Sequence, residues 1–255
     1  MNKTVIKLCA TAMLAGLLAA CAASTDPAEA YRGESQQEIY KKGKEAMQDR
    51  NYSEAIKRFE ALDVQYPMGP QTENAQFYLI YAYYMKEEYA LASSEAERFI
   101  RMYPVYPYVD YAYFMRGMSD YYQSLGIIER FFSVDLATRD LTQIRKAYYD
   151  FSELTTRFPN STYTPAAHQY MIYLRDILAD HELRVAEYYY QRKAYVAAVN
   201  RASDLIAHYQ GAPAVVDGMI LLVKAYHQLG MTRNEQEAFT VLKYNYPNAV
   251  VDMNS

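Results

Sequence analysis

Apolar and small residues recur along the chain at the spacing of one helical face. Ala55, Phe59 and Leu62 follow one another at i, i+4 and i+7, which places their side chains on one stripe of an α-helix. Proline cannot continue the helical hydrogen-bond ladder, so Pro67 predicts where this helix ends. The same stripe returns in three later segments: Ala92-Ala96-Phe99 before Pro104, Ala147-Phe151-Leu154 before Pro159, and Ala198-Ala202-Leu205 before Gln210.

The repeated unit is a helical hairpin that resembles the tetratricopeptide repeat. In most copies a tyrosine precedes the small residue by three positions, as Tyr52, Tyr89 and Tyr195 do. The small residue allows the second helix to cross the first closely. Four proline-ended copies, the last at Pro247, and the near-match at Gln210 predict an all-α fold, an α-solenoid of about five tetratricopeptide-like helical hairpins over residues 36–250. An irregular helical bundle with aromatic core stripes is the alternative interpretation.

Three departures from a regular repeat are visible. The third copy has an insertion, roughly Ser124–Asp140, in which Asp135 and Arg139 are spaced for a local ion pair. The fourth copy has a lengthened first helix, near Ala166–Tyr190. Insertions in a solenoid map to one face, which is often the binding face. In the last copy Glu235 occupies the small-residue position, a departure that a terminal capping repeat can make.

The N-terminus predicts export and a lipid anchor. Lys3 and Lys7 accompany a mostly apolar run from Val5 to Ala20, which is too short for a comfortable membrane span and typical of a secretory signal. Leu18-Ala19-Ala20-Cys21 resembles the lipobox of bacterial lipoproteins. This resemblance implies that residues 1–20 are removed and that Cys21 carries covalent N-acyl and S-diacylglycerol lipid. A chance cysteine after an ordinary cleavage site is the alternative.

The residues that follow Cys21 bear on location. Ala22 stands where an aspartate would favour retention in the inner membrane, so we expect the outer membrane. Residues 21–35 have no apolar period and are predicted to form a flexible, lipid-anchored tether.

Composition and motifs argue against several classes of function. Removing Lys3 and Lys7 with the signal leaves 24 basic against 30 acidic residues, a change in net charge from −4 to −6, so no nucleic acid partner is expected. Cys9 leaves with the signal and Cys21 takes lipid, so no thiol remains for chemistry. Hydrolase, zinc-protease and phosphate-loop motifs are missing, and the four histidines lack ligand spacing. We predict a non-enzymatic binding protein without a metal and without any cofactor besides the lipid.

Longer segments are similar to the BamD family, the tetratricopeptide lipoproteins of the outer-membrane β-barrel assembly (BAM) machine. The similarity covers nearly the whole mature chain, although Ser133 stands where the family pattern F-F-G-V-D has glycine. The matching segments are Ile39-Tyr40, Ala61-Leu62-Asp63, Tyr66-Pro67-Met68-Gly69-Pro70, Leu79-Ile80-Tyr81-Ala82-Tyr83-Tyr84, Arg98-Phe99-Ile100-Arg101, Asp110-Tyr111, Met115-Arg116-Gly117, Phe131-Phe132-Ser133-Val134-Asp135, Arg139-Asp140, Phe158-Pro159-Asn160-Ser161, Val185-Ala186-Glu187-Tyr188-Tyr189 and Val199-Asn200-Arg201.

The resemblance implies a function and its partners. The chain would be an outer-membrane protein assembly factor, a BAM scaffold subunit that helps recognise, insert and fold β-barrel proteins from the periplasmic face of the outer membrane. Its partners would be the barrel subunit BamA, other BAM lipoproteins and unfolded β-barrel substrates. On motif matching, Arg201 faces BamA from a C-terminal half (residues 161–250), and Tyr66 lies near the substrate-receiving region of an N-terminal half (residues 36–160).

Alternatives stay open for these residues and for the function. Arg201 has the alternative of an ordinary exposed helix charge, and Tyr66 that of a packing tyrosine before a turn. A second function is an adaptor lipoprotein for cell-wall synthesis or envelope constriction, for which we expect a coiled coil ahead of the repeats; residues 22–35 are short and polar for one. A third, a lytic glycosidase, requires a compact catalytic domain, which the eight residues after Pro247 do not provide.

Overall fold

The computed structural model describes residues 26–27, 29–125, 135–138 and 140–253. This part of the chain contains helices and no strand, and consecutive helices pair as five hairpins, so the predicted all-α solenoid of about five tetratricopeptide-like hairpins is confirmed. The predicted signal peptide and Cys21 lie outside the described residues. The helices are α1 Gln36–Gln48, α2 Tyr52–Gln65, α3 Pro70–Met85, α4 Tyr89–Met102, α5 Val109–Ser124, a 3-10 helix Leu136–Thr138, α6 Thr142–Arg157, α7 Thr164–Gln191, α8 Tyr195–His208, α9 Ala214–Gln228 and α10 Thr232–Asn245.

The stripe predicted on the second helix of each hairpin forms the core. In the first four hairpins all twelve residues of the stripe are fully buried, as the i, i+4, i+7 spacing predicts. The first helix meets this stripe with glycine: a Cβ atom on Gly43 would lie 2.5 Å from Phe59, and one on Gly117 would lie 2.8 Å from Phe151. The buried positions are Ala55, Phe59 and Leu62 of α2, Ala92, Ala96 and Phe99 of α4, Ala147, Phe151 and Leu154 of α6, and Ala198, Ala202 and Leu205 of α8.

The second helix of every hairpin ends on an aromatic residue. The backbone N–H of each of these residues donates to the carbonyl four positions earlier, with φ between −120° and −134°. The helix therefore ends two residues before the proline, or before Gln210, and the aromatic cap lies between them. The five aromatic caps are Tyr66, Tyr103, Phe158, Tyr209 and Tyr246.

The turn inside four of the hairpins uses left-handed backbone. Arg50, Glu87 and Lys193 have φ near +60°, and Gly230 has φ +68° at the corresponding place in the last hairpin. This conformation is strained for a residue with a Cβ atom and open to glycine. Three of the four turns therefore carry local strain that the packed helices on either side must hold.

The described residues divide into two compact units, of which the first ends at Leu79 within α3. In the first unit α1 packs on α2, and the segment ahead of α1 is fixed to α2. The Gln65 side chain donates to the carbonyls of Pro27 and Ala30 at 2.8 and 2.6 Å. The Tyr31 hydroxyl donates to Glu54 at 3.0 Å; burial, together with Glu54, raises the pKa of Tyr31 to about 12. Part of the stretch predicted as a tether thus contacts α2 side chains, and its flexibility and lipid anchoring stay predictions.

In the second unit, which begins at Ile80, each helix from α4 to α10 packs on the next, and α7 also packs on α9. The lengthened first helix is confirmed, since α7 has 28 residues. The part of the insertion that is described is fixed to this helix: Asp135 forms an ion pair with Arg184, and His181 Nδ1 donates to the Ala137 carbonyl at 2.7 Å. Arg139, the predicted local partner of Asp135, lies outside the described residues.

The last hairpin differs from the others, as Glu235 predicts. The Glu235 side chain is partly buried, and its Oε1 lies 3.2 Å from His227 Nδ1. Among the residues of α10, Leu242 alone is fully buried. A second helix with one buried position is what a capping repeat requires, because one of its faces meets solvent.

Candidate functional site

Arg201 lies on α8, at a groove between three helices. Its side chain is 46% exposed, and Nη1 lies 3.3 Å from Oε2 of Glu182 on α7, which is largely buried. The ion pair draws the guanidinium toward one wall of the groove and leaves much of it open to solvent. Arg201 is therefore neither a buried structural cation nor an isolated surface charge.

The groove has a volume of about 390 Å³ and carries both signs of charge. Two arginines and two carboxylates line it together with tyrosine rings, so it offers ion pairing and flat apolar contact at one place. Its lining is Arg145, Tyr148 and Tyr149 from α6, Leu178 and Glu182 from α7, and Arg201, Asp204, His208 and Tyr209 from α8 and its cap.

Local hydrogen bonds orient two further side chains of the groove. His208 Nδ1 lies 2.9 Å from the Asp204 carbonyl, and because a carbonyl only accepts, Nδ1 carries the proton. Arg145 Nη1 donates to the Tyr209 hydroxyl at 3.4 Å. Tyr149 remains well exposed. The groove thus presents fixed polar groups beside an accessible aromatic ring, which suits a protein surface as ligand.

Tyr66 holds a different kind of position. It caps α2, its hydroxyl donates to the Glu34 carbonyl at 3.4 Å, and its own carbonyl accepts from the Thr72 hydroxyl at 2.5 Å. The same capping place is aromatic in the other four hairpins. Tyr66 therefore has a structural role in its turn, and a role toward substrate stays a prediction.

A buried charge cluster between α5 and α6 was not predicted. Arg116 Nε lies 2.8 Å from Asp150 Oδ1, and Arg116 Nη2 lies 2.6 Å from Glu153 Oε2. Lys146 Nζ reaches the fully buried Asp120 at 3.0 Å. Burial and the hydrogen bond with Asp120 raise the pKa of Asp150 to about 8, against the opposing effect of Arg116. The only sequence signal was Arg116 within a family segment, and its partners are too distant along the chain to be paired by pattern.

The described residues contain no group of three His, Cys, Asp or Glu side chains that could hold a metal ion. None of the described helices combines the length and the apolarity that a membrane span requires. The structure brings Arg201 into a groove and Tyr66 into a turn, one in each of the two units.

Comparisons with known proteins agree on one family. The model of a family described as "YfiO: Outer membrane lipoprotein" matches residues 32–242. An outer membrane protein assembly factor BamD of Neisseria meningitidis serogroup A is 33% identical over 246 residues, which is 95% of this chain and 92% of that protein. The protein of the same name from Vibrio cholerae is 35% identical over 76% of this chain and 81% of its own. That of Xylella fastidiosa strain Temecula1 is 36% identical over 82% and 72%.

Proposed function

The chain belongs to the BamD family of outer-membrane assembly factors, and from that premise we propose that it is a scaffold subunit of the BAM machine. In this role it helps to recognise, insert and fold β-barrel proteins into the outer membrane. The observation that carries the proposal is the family match over residues 32–242, which begins ahead of α1 and ends within α10, in the fifth hairpin. Membership of this family supports association with the outer membrane and a scaffold role without catalysis.

The proposal is tested by depletion. Lowering the amount of the chain in its native cell should lower the amount of folded β-barrel protein in the outer membrane, measured by heat-modifiable gel mobility. Unchanged barrel levels contradict the proposal. Recovery of cell-wall synthesis enzymes in place of BAM subunits, after detergent extraction and pull-down, favours the adaptor function instead.

We also propose that lipid on Cys21 anchors the chain at the periplasmic face of the outer membrane. The observation behind it is the lipobox-like Leu18-Ala19-Ala20-Cys21. Several acyl chains are needed for a stable tether, because one chain alone holds only marginally. Cys21→Ser should move the chain from the membrane fraction to the soluble periplasmic fraction, and retention in the membrane contradicts an anchor at this residue.

We propose further that the Arg201 groove contacts BamA. A partly exposed guanidinium beside tyrosine rings is a combination enriched at interface centres. Arg201→Glu reverses the charge and sets it against Glu182, so co-purification with BamA should fall at least severalfold while helical content stays the same. Arg101→Glu is the matched control, since Arg101 is an exposed arginine on α4 that pairs with Glu97 at 2.5 Å. Equal co-purification by the two variants removes Arg201 from the interface.

Tyr66 is proposed as part of the substrate-receiving region. Since it also caps α2, the test must separate the two roles. Tyr66→Phe keeps the ring and its packing, whereas Tyr66→Ala removes both. Photo-crosslinking to a peptide from a β-barrel strand should fall for Tyr66→Ala more than for Tyr103→Ala, which removes the aromatic side chain at the same capping position of α4. Equal losses would assign Tyr66 to the turn alone.

A further inference from the structure

The segment that follows α10 lies on the protein in extended form. Residues 249–252 have no helix or turn, and their exposure alternates. Ala249, Val251 and Met253 are partly buried, whereas Val250 is 78% exposed and Asp252 is exposed. Every second side chain of this tail therefore points toward the protein, which is the period of a β-strand rather than of a helix.

The inward side chains pack on the core of the last two hairpins. Ala249, Val251 and Met253, with the cap Tyr246, contact a cluster of buried residues contributed by α7, α8, α9, α10 and the loop between α8 and α9. The cluster is apolar throughout, so it selects for apolar side chains at those positions without a specific polar partner. Its members are Ala179, Leu205, Ala212, Ala214, Val215, Met219, Val223 and Leu242.

The polar contacts of the tail involve its backbone. Lys243 Nζ donates to the carbonyl of Pro247 at 3.2 Å and to that of Ala249 at 2.7 Å. Any extended chain presents such carbonyls, so this ammonium can hold a segment of different sequence equally well. Specificity then comes from the alternate apolar side chains, and orientation comes from Lys243.

The apolar surface adjoins a cavity beside Met253. Met253 forms part of the wall of a cavity of about 590 Å³, which also includes Leu221 and the rings of Tyr190 and Tyr195, 5.3 Å apart. Tyrosine rings offer large apolar contact with little loss of side-chain freedom. The lining also includes Glu187, Lys193 and Lys224, so the cavity offers apolar and charged contacts beside the tail.

We propose that this surface, formed by the apolar cluster, Lys243 and the adjoining cavity, is a binding site for an extended segment with apolar residues at alternate positions, and that the tail is its displaceable occupant. The ligand class rests on the function proposed above: strands of membrane β-barrels alternate apolar and polar residues in this way, so an unfolded barrel strand matches the tail. The tail acts as an internal competitor that a substrate strand must replace.

The test uses the full mature chain and a fluorescent peptide that copies residues 246–255, YPNAVVDMNS, and so includes the tail. In the unchanged protein the attached tail competes at an effective concentration of about millimolar, so the free peptide binds poorly. Val251→Asp places a charge in the apolar cluster and releases the tail, and peptide affinity should rise about tenfold or more. Val250→Asp makes the same change one residue earlier, at an exposed position, and should leave peptide affinity unchanged. Equal peptide binding by the two variants overturns the proposal.

A second pair of measurements addresses folding and ligand class. If Val251→Asp loses helical circular dichroism, Met253→Ala replaces it as the test variant. Met253→Ala must then raise peptide affinity severalfold, or the proposal fails.

In the variant whose tail is released, a ten-residue peptide with Val and Thr alternating should bind more tightly than its isomer with all Val first. If the tail peptide binds but neither isomer does, the site is a self-capping contact and the substrate assignment is wrong. Depletion tests the assembly role independently, so the two failures remain distinct.

Discussion

Arg116 Nε on α5 lies 2.8 Å from Asp150 Oδ1 on α6, and both side chains are close to fully buried. Nη2 of the same guanidinium donates a hydrogen bond to Glu153 Oε2 at 2.6 Å. The third hairpin is thus joined through a charged contact within a core that is otherwise largely apolar. A buried ion pair is seldom more stabilising than an apolar pair of the same size, yet losing one partner is costly because the other charge stays buried.

Arg116→Met should destabilise the protein by about 1 to 3 kcal/mol, since it leaves the buried Asp150 carboxyl and the partly buried Glu153 without the guanidinium that contacts both. The free energy of unfolding from urea titration, followed by circular dichroism, measures this cost. Arg233→Met is the control, because Arg233 pairs with Glu237 at 2.9 Å on the surface with 90% of its side chain exposed. The control should cost less than about 0.5 kcal/mol. Similar costs for the two variants contradict a buried role for Arg116.

Asp150 makes stability depend on pH. Burial and Asp120 raise the pKa of Asp150 from 3.8 to about 8 in the folded state, so between these values the folded chain holds a proton that the unfolded chain has lost. Unfolding releases that proton, so the contribution of Asp150 to the free energy of unfolding falls as pH rises from 6 to 8.5. Arg116 and Lys146 oppose the effect and limit its size.

The comparison with Asp150→Asn isolates this contribution from the histidines, which both proteins share. The difference in unfolding free energy, unchanged chain minus variant, should decrease as pH rises, with urea titrations at pH 6.0, 7.0, 8.0 and 8.5. A difference that stays constant over this range shows that Asp150 does not bind the proton.

The stripes of the second helices could be predicted because they depend on spacing within one helix. Ala92, Ala96 and Phe99 need only the 3.6-residue period to be assigned to the core. Contacts between helices could not be predicted in this way. The glycine opposite Phe151 is Gly117, 34 positions earlier, because the insertion lies between them, whereas the glycine opposite Phe59 is Gly43, 16 positions earlier.

The contacts between helices at the candidate site could not be predicted from the sequence either. Arg201 was found by family resemblance, yet its groove partners on α6 and α7 come from helices whose register depends on how α7 is lengthened. The extended conformation of residues 249–253 could not be predicted either. Five residues with two exposed positions give too short a pattern to separate a strand from a loop.

Arg50→Gly should stabilise the first hairpin. Arg50 has φ +58°, a conformation that costs a residue with a Cβ atom roughly 1 kcal/mol and that glycine adopts freely. Removing this strain should raise the unfolding free energy by about 1 kcal/mol, measured by urea titration. Lys57→Gly provides the contrast, because Lys57 is an exposed residue inside α2 and glycine there should cost about 1 kcal/mol. A loss of stability in Arg50→Gly contradicts the strain.

Gly117→Ala tests the close crossing of α5 and α6. The new Cβ atom would lie 2.8 Å from Cε1 of the fully buried Phe151, so one of the helices must move, at a cost of about 1 to 3 kcal/mol. Phe151→Leu, which shortens the opposing side chain, should relieve the clash. The double variant Gly117→Ala/Phe151→Leu is therefore expected to lose less stability than the two single variants together, by at least about 0.5 kcal/mol in a double-mutant cycle. Strictly additive losses would mean that the size of residue 117 and the Phe151 ring are not coupled.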